Sequence, residues 1–114
     1  MALSTAAKNS ALDAIFQGAI TVSLHTADPG ATGANELTGG GYARQSATFT
    51  SSSNGQTSNS ATVTWTNLPA STITHVGVWK SGVYQASAAA TTPRAVASGD
   101  GVFVNPGSLT FSVT

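Results

Sequence analysis

The stretch Ile20-Thr21-Val22-Ser23-Leu24-His25 decides the fold. Apolar residues stand at every second position, with small or polar ones between. That period places Ile20, Val22 and Leu24 on one face of a half-buried strand. Asp28-Pro29-Gly30 stops the strand, and a loop rich in Gly, Ala, Thr and Asn runs to Gly41. The same period returns downstream. A strand is predicted at about Tyr42 to Thr50. Ala61, Val63 and Trp65 alternate with Thr62, Thr64 and Thr66, which read as the wet face of a sheet. Thr72 to Lys80 places Ile73, His75, Gly77 and Trp79 on one face and Thr74, Val76 and Val78 on the other. Ser81-Gly82 is a two-residue hairpin connection, with Val83 to Ala88 as the return strand. Asp100-Gly101 signals a second hairpin before Val102-Phe103-Val104. Leu109, Phe111 and Val113 alternate in a last strand. Ser51 to Gln56 reads as a turn or mobile tip, and Gly39-Gly40-Gly41 as a flexible hinge.

Upstream of the first strand the period is helical. Thr5 to Gln17 contains no Gly or Pro, Ser4 or Thr5 can cap the first turn, and Gly18 suits the position just past the end. Ala7, Ala11, Leu12, Ile15 and Phe16 form one light apolar stripe that must dock on something. The expected architecture is mainly β: one domain over 1–114, with a short helix at 4–18. Residues 19–114 then form a jelly-roll-like antiparallel β-sandwich of about seven strands.

Composition narrows the function. The chain has 114 residues, no Cys and a formal net charge of +0. Thiol chemistry and cysteine-based metal sites are excluded. A neutral chain has no electrostatic footprint for nucleic acid or anionic membrane. Charged residues are 7% of the chain, against about 25% in ordinary soluble domains. The chain carries 15 Ser and 17 Thr instead. Such a surface packs against like copies with little charge desolvation. Met1 to Lys8 lacks an apolar core after a basic start, so no secretory signal is expected.

Chemistry-bearing residues are few. Ser23, His25 and Asp28 are the residue types of a nucleophile, base and orienter, but Asp28 before Pro29-Gly30 reads more simply as a turn residue. His25, Asp28, Glu36 and His75 lack the spacing of any metal loop, so no metal or cofactor is expected. Gly39-Gly40-Gly41 lacks the Lys-Ser/Thr of a phosphate-binding loop. Trp65 and Trp79 could stack on a sugar as in carbohydrate-binding modules, although strand tryptophans of a small sandwich usually lie in the core.

Several stretches resemble a family of small structural proteins of tailed-bacteriophage virions. They are Met1 to Asn9 with Leu12-Asp13-Ala14, Val22 to Gly30 with Thr32 to Gln45, Thr74 to Trp79, and Ser98-Gly99-Asp100 with Gly107 to Thr110. Members are commonly labelled tail fibre, minor virion or capsid decoration proteins. The resemblance implies no catalytic residues and no cofactor. It implies a location on the virion's outer surface after assembly in the host cytoplasm, with a structural or assembly role for His25–Gly30 and Asn35–Gln45. Longer relatives carry further modules, so a chain ending at Thr114 is expected to decorate the capsid. A tail fibre or baseplate component is the alternative, and a carbohydrate-binding module is the rival from another class. The expected partners are the chain itself, as a trimer, and the major capsid protein or tail proteins. The residues expected to carry assembly are Leu12, Ile15 and Phe16 on the helix, Asp28, Glu36 and Tyr42 in the loop, and Arg44. Arg44 is expected to pair with Glu36 or Asp28 across a subunit boundary.

Overall fold

The computed structural model describes residues 3–112. Val113, expected in the last strand, lies outside the described residues. The helix α1 spans Thr5–Phe16, shorter at both ends than the 4–18 expected. Ser4 Oγ accepts from the Ala7 N–H at 3.1 Å, which satisfies one orphan donor of the first turn. Gln17 is already extended and Gly18 has φ +102°.

Among the described residues eight strands follow, all paired antiparallel: β1 (Ile20–His25), β2 (Gln45–Ala47), β3 (Gln56–Ser58), β4 (Val63–Trp65), β5 (Ser71–Lys80), β6 (Val83–Val96), β7 (Val102–Val104) and β8 (Thr110–Ser112). They form a four-stranded sheet in the order β2-β1-β5-β6 and two ribbons, β3-β8 and β4-β7. One hydrophobic cluster joins the three. Ile20, Val22, Leu24, Ile73 and Val78 from the large sheet meet Val63, Trp65 and Val102 from one ribbon, with Phe49, Leu37, Leu68 and Leu109 between the elements. The helix closes this core. Phe16 packs on Phe49 and Phe111 with ring centroids 4.9 and 4.7 Å apart. Leu12 and Phe16 are each 2% exposed, and Ile15 is half-buried against the same core. The sequence leaves open whether these three dock on their own domain or on a neighbour; in the structure they pack on the chain's own core.

Polar contacts also hold the helix in place. Asp13 Oδ1 accepts from the Ser52 N–H at 3.0 Å, and Asn9 Oδ1 accepts from the Gly55 N–H at 2.9 Å. Segment 51–56 is therefore a docked turn, with Asn54 and Gly55 at φ +53° and +73°. The Gly-rich segment is likewise packed. The Gly41 N–H donates to the Asn67 carbonyl at 2.7 Å, and a Cβ on Gly41 would stand 2.8 Å from the Asn67 amide. Close approach explains the glycine there.

Strands β5 and β6 depart from their predicted pattern. Ser81 and Gly82 take φ +50° and +80°, the primed turn that matches strand twist. The return strand then runs to Val96, past Pro93. A register break makes this possible: Ile73 opposes Arg94, whereas His75 opposes Ala89. Pro93 falls within that break, where a missing N–H costs no ladder bond. The same break moves Ile73 off the His75 face and into the core with Val78. The turn stands at Ser98-Gly99, closed by the Asp100 N–H on the Ala97 carbonyl, and the Asp100-Gly101 pair joins no hairpin, because β7 pairs with β4. Asn59, 1% exposed, organises the closing turn. Its Nδ2 donates to the Ala61 and Asn105 carbonyls, and its Oδ1 accepts from the Leu109 N–H.

Truncating the helix anchor tests this packing. Phe16→Ala is expected to lower unfolding stability by about 3–5 kcal/mol, read as a shift of the urea midpoint. Val83→Ala, at a side chain 61% exposed, is expected to stay within about 0.5 kcal/mol.

Candidate functional site

The most elaborate constellation lies on the sheet face opposite the apolar core. In β1 the odd-numbered residues Thr21, Ser23 and His25 share this face with Trp79, Gly77 and His75, their cross-strand partners on β5. Simple alternation predicts a wet face. Instead Ser23 and His25 are both 0% exposed. The cover is the loop between β1 and β2, residues 26–44, which folds back over the sheet. Pro29 is fully buried within it. A Cβ on Gly33 (φ +79°) would meet Trp79 at 2.9 Å and Tyr84 at 3.0 Å.

Hydrogen bonds run through this face as one chain. His25 Nδ1 lies 2.8 Å from the Ala34 carbonyl. A carbonyl only accepts, so Nδ1 carries the proton and Nε2 is the acceptor. Ser23 Oγ, 2.6 Å from Nε2, therefore donates to it. Trp79 Nε1 donates to the same Oγ at 2.8 Å. Gly77 makes room: a Cβ there would lie 2.5 Å from Ser23 Oγ and 2.7 Å from His25 Nε2. Burial holds the His25 imidazole below its ordinary pKa, against the raising effect of the Ala34 bond and of Glu36.

A second polar group closes the loop's far end. Tyr42 Oη accepts from the Leu24 N–H at 3.0 Å and donates to Glu36 Oε2 at 2.7 Å. Arg44 grips the same carboxylate with two bonds of 2.9 Å. Burial pushes the Glu36 carboxyl up, but the bonds from Arg44 and then Tyr42 outweigh it and leave the pKa below its ordinary value. Burial, followed by the bond to Glu36, raises the Tyr42 phenol. The Arg44 guanidinium stands 3.5 Å from the centroid of the Trp79 ring, and Tyr84 meets that ring edge-on at 5.3 Å. The two polar groups thus meet at Trp79.

This geometry places the sequence-derived candidates. Arg44 does pair with Glu36, but within one chain. Asp28 takes no part: its carboxylate accepts from the Gly30 N–H at 2.8 Å in a turn, and its residue is exposed. Ser23 and His25 do bond, yet Asp28 orients neither, and no solvent-exposed surface remains on either. Trp65 is 1% exposed, so it has no free face for a sugar; the core position won because a Trp buries so large an area. Trp79 is half-buried with Arg44 over its ring. Among the described residues, no three of His, Cys, Asp or Glu gather as a metal site would require. The Ser23-His25-Trp79 chain and the Arg44-Trp79 contact escape a reading of the sequence, because both depend on the β1–β5 register and on the loop's fold.

Two results would test this construction. Gly77→Ala is expected to cost about 1–3 kcal/mol, because the added methyl displaces a hydrogen-bonded pair that has nowhere to move. A far-UV melt would show it as a lowered midpoint. The depressed His25 pKa also sets a pH dependence. The unfolded chain takes up the imidazole proton more readily than the folded one, so stability is complete above pH 6.5 and falls as pH drops below that value. Glu36 adds a further loss below pH 4.5. Urea midpoints measured against pH should show the first fall in the native chain and a smaller one in His25→Gln.

No curated protein matched the chain. A family model described as "Podophage GP4 fiber I protein gp80" matches residues 2–112. That span covers nearly the whole sequence, including the loop and both strands that build the Trp79 face. The chain therefore belongs to the podophage GP4 fibre I protein gp80 family, a family of phage virion structural proteins.

Proposed function

We propose that this chain is a non-enzymatic component of the tail fibre of a podophage, exposed on the outside of the virion. Membership of a fibre family carries this reading and favours it over capsid decoration. The physical character of the chain supports it. Its two most enzyme-like side chains, Ser23 and His25, are sealed beneath the 26–44 loop and serve to hold that loop down. A loop braced from beneath by His25 and Trp79 and at its end by Glu36 and Arg44 keeps one shape, as a load-transmitting joint requires. Exposed Thr62, Thr64 and Thr66 on β4 and its flanks give an uncharged, hydroxyl-bearing surface. Such a surface meets neighbouring copies and other tail proteins at small desolvation cost. Many weak contacts of this kind add up when copies are held together. No described helix is long and apolar enough to cross a membrane.

Particle reconstruction with a bound antibody fragment against this chain tests the proposal. Density on the tail fibres is expected. Density spread over the capsid lattice would overturn the fibre reading and restore decoration.

A further inference from the structure

The turn between Ser53 and Gln56 carries the only Asn-Gly pair of the chain, Asn54-Gly55. In such a pair the backbone nitrogen of the second residue can attack the side-chain amide carbon of the first. Glycine puts no side chain in the way. The other asparagines are worse placed. Asn9, Asn35, Asn59 and Asn67 precede residues with side chains, and Asn105 precedes Pro106, which has no N–H. Asn54 and Gly55 are unlike in their surroundings. Asn54 is exposed, so its amide meets water, whereas Gly55 is buried. The Gly55 N–H donates to Asn9 Oδ1 on α1 at 2.9 Å. Two further bonds tie the same segment to the helix: the Ser52 N–H to Asp13 Oδ1 at 3.0 Å, and Ser52 Oγ to the Asn9 carbonyl at 2.8 Å. Across the turn, Ser53 and Gln56 exchange both backbone bonds, at 2.9 and 3.0 Å. The positive φ angles of Asn54 and Gly55 give the primed two-residue form that this exchange requires. Nucleophile and electrophile are thus neighbours in sequence, but the proton on the nucleophile is held by a residue of the helix.

We propose that Asn54-Gly55 is a site of spontaneous deamidation, held closed by α1 through Asn9. The attacking group is the Gly55 nitrogen after its proton has passed to hydroxide. An N–H that is buried and bonded to Asn9 gives up that proton only when the segment opens locally. On opening, the nitrogen bonds to Asn54 Cγ and the Cγ–Nδ2 bond breaks. The leaving nitrogen takes a proton from water and departs as ammonia, which restores the hydroxide. A second water opens the cyclic imide at either carbonyl and leaves aspartate or isoaspartate. Both products add a carboxylate to a chain of formal net charge +0. Isoaspartate also inserts a methylene into the main chain between positions 54 and 55. Ser53 and Gln56 then cannot keep both of their bonds, and the Gly55 N–H no longer meets Asn9. The modification is therefore a permanent mark of helix release, formed when α1 leaves the turn and opposing its return.

Ageing of the full chain at mildly alkaline pH tests this, with the products located by peptide mapping and mass spectrometry. Exchange of the Gly55 amide is followed in parallel by NMR. The native chain is expected to deamidate slowly, first at Asn54, and in step with Gly55 exchange. Asn9→Ala removes the acceptor and is expected to speed the reaction on the order of tenfold. Asn9→Asp keeps an oxygen in the same place and is expected to stay near the native rate. The chain unfolded in guanidinium chloride is expected to react fastest, a comparison that decides the matter even if Asn9→Ala does not fold. Native and unfolded chains that age at one rate, a folded Asn9→Ala chain that ages no faster than the native one, or a reaction led by another asparagine would each overturn the proposal.

Discussion

Strand β1 is covered on both faces, and every polar group on its second face must find its partner inside the protein. Ile20, Val22 and Leu24 take the apolar core. That leaves Ser23 and His25 beneath the 26–44 loop with no water to bond. A buried donor or acceptor left unpaired costs about 1–3 kcal/mol, a large share of a small protein's stability. The arrangement avoids that cost by a directional chain: Trp79 N–H to Ser23, Ser23 O–H to His25, His25 N–H to the Ala34 carbonyl. Each donor has one acceptor in the right place, so the loop has one seat. The glycines at 33 and 77 follow from the same constraint. Each stands where a Cβ would enter space already held by Trp79 or by the Ser23–His25 pair.

What the sequence disclosed and what it withheld divide by range. Features set by a few neighbouring residues were legible: the Ser4 cap, the Ser81-Gly82 turn with its positive φ angles, and the alternation of Val63, Thr64 and Trp65. Features set by tertiary contact were not. Ile73 has the parity of His75 and was assigned to its face, but a register break opposite Pro93 turns it into the core. Strand β3 is Gln-Thr-Ser, with no apolar residue to announce it, and pairs only because β8 lies alongside. The stretch from Tyr42 to Thr50 shrank to a three-residue strand, because Tyr42 is drawn into the bonds of the loop with Leu24 and Glu36. The candidate site divides in the same way. Residue types offered Glu36 or Asp28 as the partner of Arg44, while the choice of Glu36 and the cation over the Trp79 ring needed the fold to become visible. The light helix stripe shows that it must dock but not on what; Phe49 and Phe111, distant in sequence, supply that partner from within.

Ser23, His25 and Asp28 are used here as braces: the imidazole and the carboxylate fix backbone at Ala34 and Gly30, and the hydroxyl ties the His25 ring to Trp79. Burial of polar groups carries a further consequence. Such networks tolerate little rearrangement once complete, since every partial version leaves a group unpaired. The loop is thereby rigid without a disulfide, in a chain that contains no cysteine.

The direction of the hydrogen-bond chain can be read directly. Nitrogen NMR of the imidazole ring at neutral pH distinguishes the two neutral tautomers of His25. The account predicts the Nδ1–H form, with slow exchange of that proton against solvent. An Nε2–H form, or a ring proton exchanging as freely as that of an exposed histidine, would show that the loop is not seated on β1 in this way.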